Sequence, residues 1–287
     1  MSVWTVLAPI LALILGAPVG GLLKGIDRKI SARMQGRVGP PILQPFYDFF
    51  KLWGKETIVA NKAQLIFVWL YFLLVVAALV LLFMGQDLLM TLFVLGFGGV
   101  CLVAGAFSVR SPYSQFGGYR ELLQILSYEP ILLLTAVAIY LRIGTFQVSS
   151  ILTSGQPLLP YLPLAFIAVL IALTIKMRKS PFDIAASEHA AHQELVRGVY
   201  TEYSGRYYAL IEITYWYELV FVLAFVALFW AVPLWIGVLI ALACYLLELF
   251  VDNISARLTW RWMLRISWIG GVVLVLVNMI PWAGGWW

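Results

Sequence analysis

The sequence predicts an all-α integral membrane protein with about eight transmembrane helices, and three observations carry that reading. Hydrophobic residues make up 63% of the 287 and charged residues only 11%, with a mean hydropathy of +0.94, whereas a soluble domain carries roughly 25% charged residues. The apolar stretches are continuous, not alternating as barrel strands are. Backbone groups in hydrocarbon must be bonded within their own segment, so continuous apolar runs are helices. The basic residues, finally, sort to one side of the threaded chain, as cytoplasmic loops require.

Roughly 20 apolar residues cross the hydrocarbon core, and eight such runs occur at 3–23, 65–84, 88–109, 121–141, 160–176, 209–230, 233–251 and 266–284. No basic residue precedes the first run and several follow it, so it reads as a permanent helix and not a cleaved signal. Lys24, Arg28, Lys29, Arg33, Arg37, Lys51, Lys55 and Lys62 lie between the first and second runs; Arg110 and Arg120 lie between the third and fourth. Lys176, Arg178, Lys179, Arg197 and Arg206 flank the gap between the fifth and sixth, and Arg257, Arg261 and Arg265 that between the seventh and eighth. Eighteen of the 19 Lys and Arg residues therefore share one side, and Arg142 alone falls opposite. An odd number of crossings would scramble this sorting. It predicts a multi-pass protein of the cytoplasmic membrane with both termini outside the cytoplasm, anchored at the interface by Trp4, Trp282, Trp286 and Trp287.

The net charge of +5 thus belongs to one face, where it suits anionic lipid or an acidic partner; nucleic acid is not implied. Cys101 and Cys244 stand singly inside apolar runs, without the spacing of an iron–sulfur site or a disulfide partner. Both read as small buried apolar residues.

The chain forms a single polytopic membrane domain, and two of its cytoplasmic loops, 24–64 and 177–208, are too long to be simple connectors. The first contains Phe46-Tyr47-Asp48-Phe49-Phe50-Lys51-Leu52-Trp53, a mix of apolar and charged residues suited to a helix lying on the membrane surface. Such a helix is either a lipid-facing anchor with snorkelling lysines or a platform for a cytoplasmic partner.

A carboxylate inside the bilayer is costly enough that it normally faces a protein or water-filled interior, which makes it a proton-relay candidate. Glu129, Glu212, Glu218 and Glu248 fall within or close to predicted helices, with Asp252 one turn after Glu248 on the same face. The alternative is an ion pair at a helix end, a reading that applies most to Glu212 and Glu121 near predicted boundaries. His189 and His192 beside Glu188 have no third firm ligand, so no metal is expected there. No nucleophile motif, phosphate-cradling loop or dinucleotide fingerprint stands out.

Three separated motifs carry a family resemblance. Arg37-x-Gly39-Pro40, followed by Gln44-Pro45-x-x-Asp48-x-x-Lys51-Leu52-x-x-Lys55-Glu56, resembles the first cytoplasmic loop of the membrane subunit that builds the quinone chamber of respiratory complex I. Pro181-Phe182-Asp183, Glu194-Leu195-Val196-x-Gly198 and Glu202-Tyr203-Ser204-Gly205 are similar to that subunit's third cytoplasmic loop, and Ser127-Tyr128-Glu129 matches as well. Two departures indicate a branch. Only Pro41, Ile42 and Leu43 separate the Gly-Pro and Gln-Pro pairs, where quinone-reducing enzymes usually have a longer, glycine-bearing spacer. The insertion Glu188-His189-Ala190-Ala191-His192-Gln193 before Glu194 looks like the corresponding subunit of group 4 energy-converting NiFe hydrogenases of the Ech type.

The resemblance implies a membrane subunit that anchors a peripheral redox arm and couples it to proton or sodium translocation. It implies as partners a NiFe large subunit, a small iron–sulfur subunit, a ferredoxin-like iron–sulfur subunit and an antiporter-like membrane subunit. The NiFe centre and the clusters would reside in those partners, with no cofactor or metal in this chain. Arg28, Arg37, Gln44, Asp48, Lys51, Lys55, Glu56, Asp183 and His192 become candidates for docking the arm. Glu194 and Glu202 join the bilayer acids as a path from the redox interface toward the membrane centre. Formate-hydrogenlyase and ferredoxin-linked assemblies are near neighbours of this reading. A quinone-chamber subunit of complex I is the chief alternative; a free-standing transporter, which would transport alone in liposomes, and a passive anchor are the others.

Overall fold

The computed structural model describes residues 3–185 and 197–283, and among these every named element is helical. The first run is a single helix, α1 (Val3–Met34), which continues well past the expected end at residue 23. Lys24, Asp27 and Ser31 recur at three- and four-residue intervals and are all buried, so a polar face of α1 is turned into the protein where a loop was expected. Gly36, at φ +72°, ends it: the Gly36 and Arg37 amides fold back onto the Arg33 and Ala32 carbonyls, a left-handed closure that suits glycine.

The ten residues Gln44–Trp53 form the expected surface helix, α2. The hairpin α3 (Lys62–Phe83) and α4 (Leu88–Phe107) follows, with Asn61 and Asp87 accepting from backbone amides as N-caps. Next comes α5 (Pro112–Ile143), which starts nine residues earlier than expected and so draws Arg120 and Glu121 into a helix. Pro112 stands where a helix tolerates proline, and Gly144 closes the far end at φ +84°. A short turn, α6 (Val148–Thr153), precedes α7 (Pro163–Lys176). Beyond residue 196 come α8 (Gly205–Ala227), α9 (Leu234–Ile254), α10 (Trp260–Arg265), a π-helical stretch Ile266–Val272, and α11 (Val273–Ala283).

Seven of these stretches are long and apolar enough to cross a bilayer. The expected fifth span, 160–176, is present as α7 but has only 14 residues. At 1.5 Å per residue it rises about 21 Å, short of the roughly 30 Å of hydrocarbon. The rest of its path is irregular backbone, which is tolerated at membrane depth only where protein covers it. That condition holds at both ends: the Leu158 and Leu159 amides donate to the Phe229 carbonyl, and Met177, Arg178, Lys179, Phe182, Asp183 and Ala185 are buried. The chain therefore runs as seven full-length helices and one short one.

The most buried span is Gly205–Trp230, which packs on α1, α3 and α9. Its closeness to α1 depends on Gly20, where a Cβ would sit 2.3 Å from the Trp216 carbonyl oxygen. The amphipathic α2 lies across this pair and stacks Phe46 on Trp216, ring centroids 5.2 Å apart. Arg142 ends α5 at the pole opposite the other cations just named, held over the rings of Tyr161 and Trp282.

Candidate functional site

Because α7 stops short, its terminal cation and the two that follow enter the protein instead of lying at its rim. Lys176, Arg178 and Lys179 are each at most 5% exposed, and each meets an acid from a different helix. The Lys176 ammonium donates to Glu218 of α8 at 2.9 Å and to the Tyr128 hydroxyl at 3.2 Å. Arg178 grips Glu121 of α5 with two donors, at 2.5 and 3.1 Å. Lys179 donates to Asp27 of α1 at 2.7 Å and lies 3.8 Å from Asp252 of α9. A further pair, Lys24 with Glu212 at 2.6 Å, joins α1 to α8 beside them, and Tyr215 touches both Lys24 and the Met177 carbonyl.

Helix geometry fixes how deep this cluster lies. Glu218 is the fourteenth residue of α8, about 20 Å from the start of that helix at 1.5 Å per residue. The Lys176–Glu218 pair is therefore close to the middle of its span, while Glu121 and Asp27 lie one to two turns nearer the basic end. Burying ion pairs at such depth is a poor way to gain stability, because desolvation consumes most of the attraction. Intramembrane charges that persist mark pathways and relays.

The remaining acids divide. Glu248 is buried against Thr174 within reach of the Lys179 and Asp252 charges, and Asp252 accepts from the Ser180 amide at 2.8 Å. Glu129 stands apart from the ion pairs, with Lys176 as its charged neighbour. Its carboxyl presses on Gly96 of α4, where a Cβ would come within 2.0 Å of it. Glu202 is half-buried at the turn before α8. Glu188, His189, His192 and Glu194 lie outside the described residues.

The network has a built-in gap. Glu218 Oε2 and Arg178 Nη1 face each other at 3.8 Å, and neither atom has a hydrogen-bond partner among the described residues; that separation is too long for a hydrogen bond and short enough for one water to bridge. Tyr71 of α3 and Tyr200 adjoin this gap. Burial raises the Tyr200 hydroxyl well above its ordinary pKa against the opposing pull of Arg178, so it is a neutral donor. Tyr203 is raised likewise, by burial.

Of the residues expected to dock a partner, several act within the chain. Arg28 pairs with Asp48 at 2.7 Å and Gln44 donates to the same carboxylate at 2.9 Å, which clamps α2 onto α1. Asp183 is turned inward and accepts from Arg257 at 2.9 Å, a correction to its expected place on a docking surface. Arg37, bonded to Gln35, remains at the surface, as do Lys51, Lys55 and Glu56. Around them Val38, Tyr47, Phe50 and Ile58 are more than half exposed. The two long loops meet here: the Ile58 amide donates to the Ser204 hydroxyl at 2.8 Å, and that hydroxyl donates to the Ile58 carbonyl at 2.9 Å.

Sequence reading missed Lys24, Asp27, Lys176, Arg178 and Lys179 as site residues, since they looked like ordinary charges flanking a membrane span. The available signal was the run at 160–176, the shortest of the eight, whose terminal cations a 14-residue helix leaves below the surface.

Comparison with known proteins agrees with this architecture. The chain is 32% identical over 258 residues to hydrogenase-4 component C of Escherichia coli, a match covering 83% of this chain and 78% of that protein. It is 32% identical to a membrane-subunit sequence of the NADH-quinone oxidoreductase of Thermomicrobium roseum, over 62% of this chain and 63% of that one. Among solved structures, a chain of an archaeal membrane-bound sulfane sulfur reductase superposes with a TM-score of 0.87 at 26% identity, covering 97% of this chain and 99% of the other. Residues 6–283 match the NADH dehydrogenase (NADHdh) family, and with a match of that extent the chain belongs to it.

Proposed function

We propose that this chain is the membrane-anchoring and coupling subunit of a ferredoxin-linked, energy-converting NiFe hydrogenase. In this reading it links proton reduction or hydrogen oxidation in a soluble arm to proton or sodium translocation. The observation that carries it is the segment 176–179, whose three cations draw together acids from α1, α5, α8 and α9. The similarity to hydrogenase-4 component C supports the hydrogenase branch. The NiFe centre and iron–sulfur clusters belong to the partner subunits, and the exposed surface around Lys51, Lys55 and Ile58, facing the cytoplasm, receives the arm. Both termini then lie outside the cytoplasm.

The coupling step follows from the charges. A proton arriving at Glu218 neutralises the partner of Lys176, and the ammonium is then left to the field of Glu129, the next carboxylate. A change in charge at one end of the line thus biases occupancy at the other, by electrostatics alone. Glu129→Gln removes the receiving group while keeping its size. In proteoliposomes of the purified assembly, ion transport should fall severalfold with subunit composition unchanged; undiminished pumping rules out Glu129. Native purification that yields no NiFe or iron–sulfur subunit would overturn the assignment as a whole.

The second reading, a quinone-chamber subunit, is favoured by the similarity to the NADH-quinone oxidoreductase of Thermomicrobium roseum. It predicts inhibitor-sensitive quinone reduction by the assembly in place of hydrogen evolution.

A further inference from the structure

A cavity of about 670 Å³ opens at the basic end, between the start of α10, the segment after α7 and the side of α5. Four of its lining residues are arginines, Arg120, Arg257, Arg261 and Arg265, and two are tryptophans, Trp260 and Trp262. The arginines differ in their commitments. Arg257 is held by Asp183, and Arg120 donates to the Ile184 carbonyl at 3.3 Å; these two brace the wall. Arg261 and Arg265, four residues apart and so on one helix face, are exposed. Each lies over a tryptophan ring, Arg261 5.3 Å above Trp260 and Arg265 5.4 Å above Trp262. Stacking pre-orients the planar guanidinium, whose forked donors match phosphate oxygens.

What adjoins this cavity identifies the occupant. Continuing from Arg261 and Arg265 at three- and four-residue intervals along the same helical run are Ile269, Val273, Leu276 and Ile280, exposed by 69, 46, 45 and 66%. This stripe belongs to the Trp260–Trp282 span, the least buried of the seven. A phosphate-binding cavity leading directly onto an aliphatic stripe at membrane depth has the two-part chemistry of a phospholipid. We propose that this cavity is a binding site for an anionic phospholipid, with its phosphate between Arg261 and Arg265 and an acyl chain along Ile269, Val273, Leu276 and Ile280. Tryptophans at the junction suit the headgroup level, and basic pockets between membrane helices are a recurrent means of holding such headgroups.

The test uses the full chain, delipidated in detergent and titrated with phosphatidylglycerol, with phosphatidylcholine or with inorganic phosphate, and read by native mass spectrometry. Phosphatidylglycerol should bind at one saturable site, phosphatidylcholine much more weakly, and millimolar phosphate should not displace the lipid. The double variant R261Q/R265Q should bind it about 25-fold more weakly, at roughly fivefold per arginine, whereas R33Q/K62Q, two exposed cations at the same end, should bind as the unmodified chain does. Equal binding of phosphatidylcholine, displacement by phosphate, or an equal loss in R33Q/K62Q overturns the proposal. Should R261Q/R265Q not fold, a photoreactive anionic phospholipid added to the unmodified chain must label residues 257–269; labelling confined to other segments overturns it as well.

Discussion

Lys176, Arg178 and Lys179 on one hand, and Lys51, Lys55 and Lys62 on the other, are three cations each at the same pole of the molecule, and the protein treats them in opposite ways. The first set is buried and tied to acids on four helices. The second is exposed among apolar side chains that the fold leaves uncovered, such as Phe50 at 68% and Ile58 at 78%. A charge at the end of a membrane span is thus a topology signal only when the span is long enough to carry it to the surface. When the helix is 14 residues long, the same residue types become an internal network, and their counter-ions follow them inside.

The contrast breaks most sharply at Lys176. Lys176→Met keeps the length of the side chain but leaves Glu218 as a buried charge without its nearest cation, which costs about 3–5 kcal/mol. The chemical unfolding midpoint of the chain in detergent should fall accordingly. Adding Glu218→Gln should restore most of that loss, since a neutral pair at depth is cheaper than a lone charge, while ion transport by the assembly stays impaired. A single variant as stable as the unmodified chain would mean that the pair is not buried as described.

The same contrast explains what was legible in the sequence. Seven helices were readable to within a few residues at most of their ends, because continuous apolar runs leave the backbone one option in lipid. Polar extensions of helices were not: residues 24–34 of α1 and 112–120 of α5 are too polar to register as membrane span, yet the first presents Lys24, Asp27 and Ser31 inward with their partners already in place. The candidate acids Glu212, Glu218, Glu248 and Asp252 were found from their cost in hydrocarbon, and the structure brings them round one segment. Their cations were overlooked, because the sequence does not reveal that α7 ends near mid-membrane. Gly96 carried no signal whatever; its role appears only when the Glu129 carboxyl is seen against it.

Gly96→Ala sharpens the comparison within the interior. The new Cβ would stand 2.0 Å from Glu129 Oε1, and because the obstacle is the free end of a side chain, the carboxyl can retreat. Stability should therefore fall by only about 1 kcal/mol, the low end for an overpacked site, while Glu129 is displaced from its present position beside Lys176. Ion transport in proteoliposomes should decline far more than the unfolding midpoint does. A large loss of stability with normal transport would make Gly96 a packing residue only.

The smallest effect on the fold is expected at the exposed set. Lys51→Ala with Lys55→Ala removes two charges that touch nothing in the described structure, and the unfolding midpoint should change by no more than about 0.5 kcal/mol. Attachment of the soluble arm should weaken instead, seen as loss of soluble subunits from the membrane fraction on washing. Salt separates this surface from the interior: the screening length falls from about 8 Å at physiological strength to about 3 Å at 1 M, so concentrated salt should strip the arm from the unmodified protein much as the double variant does. The buried pairs, closed to solvent ions, should hold their unfolding midpoint under the same wash. If salt instead destabilises the chain itself and leaves the arm in place, the division between an internal network and an external platform fails.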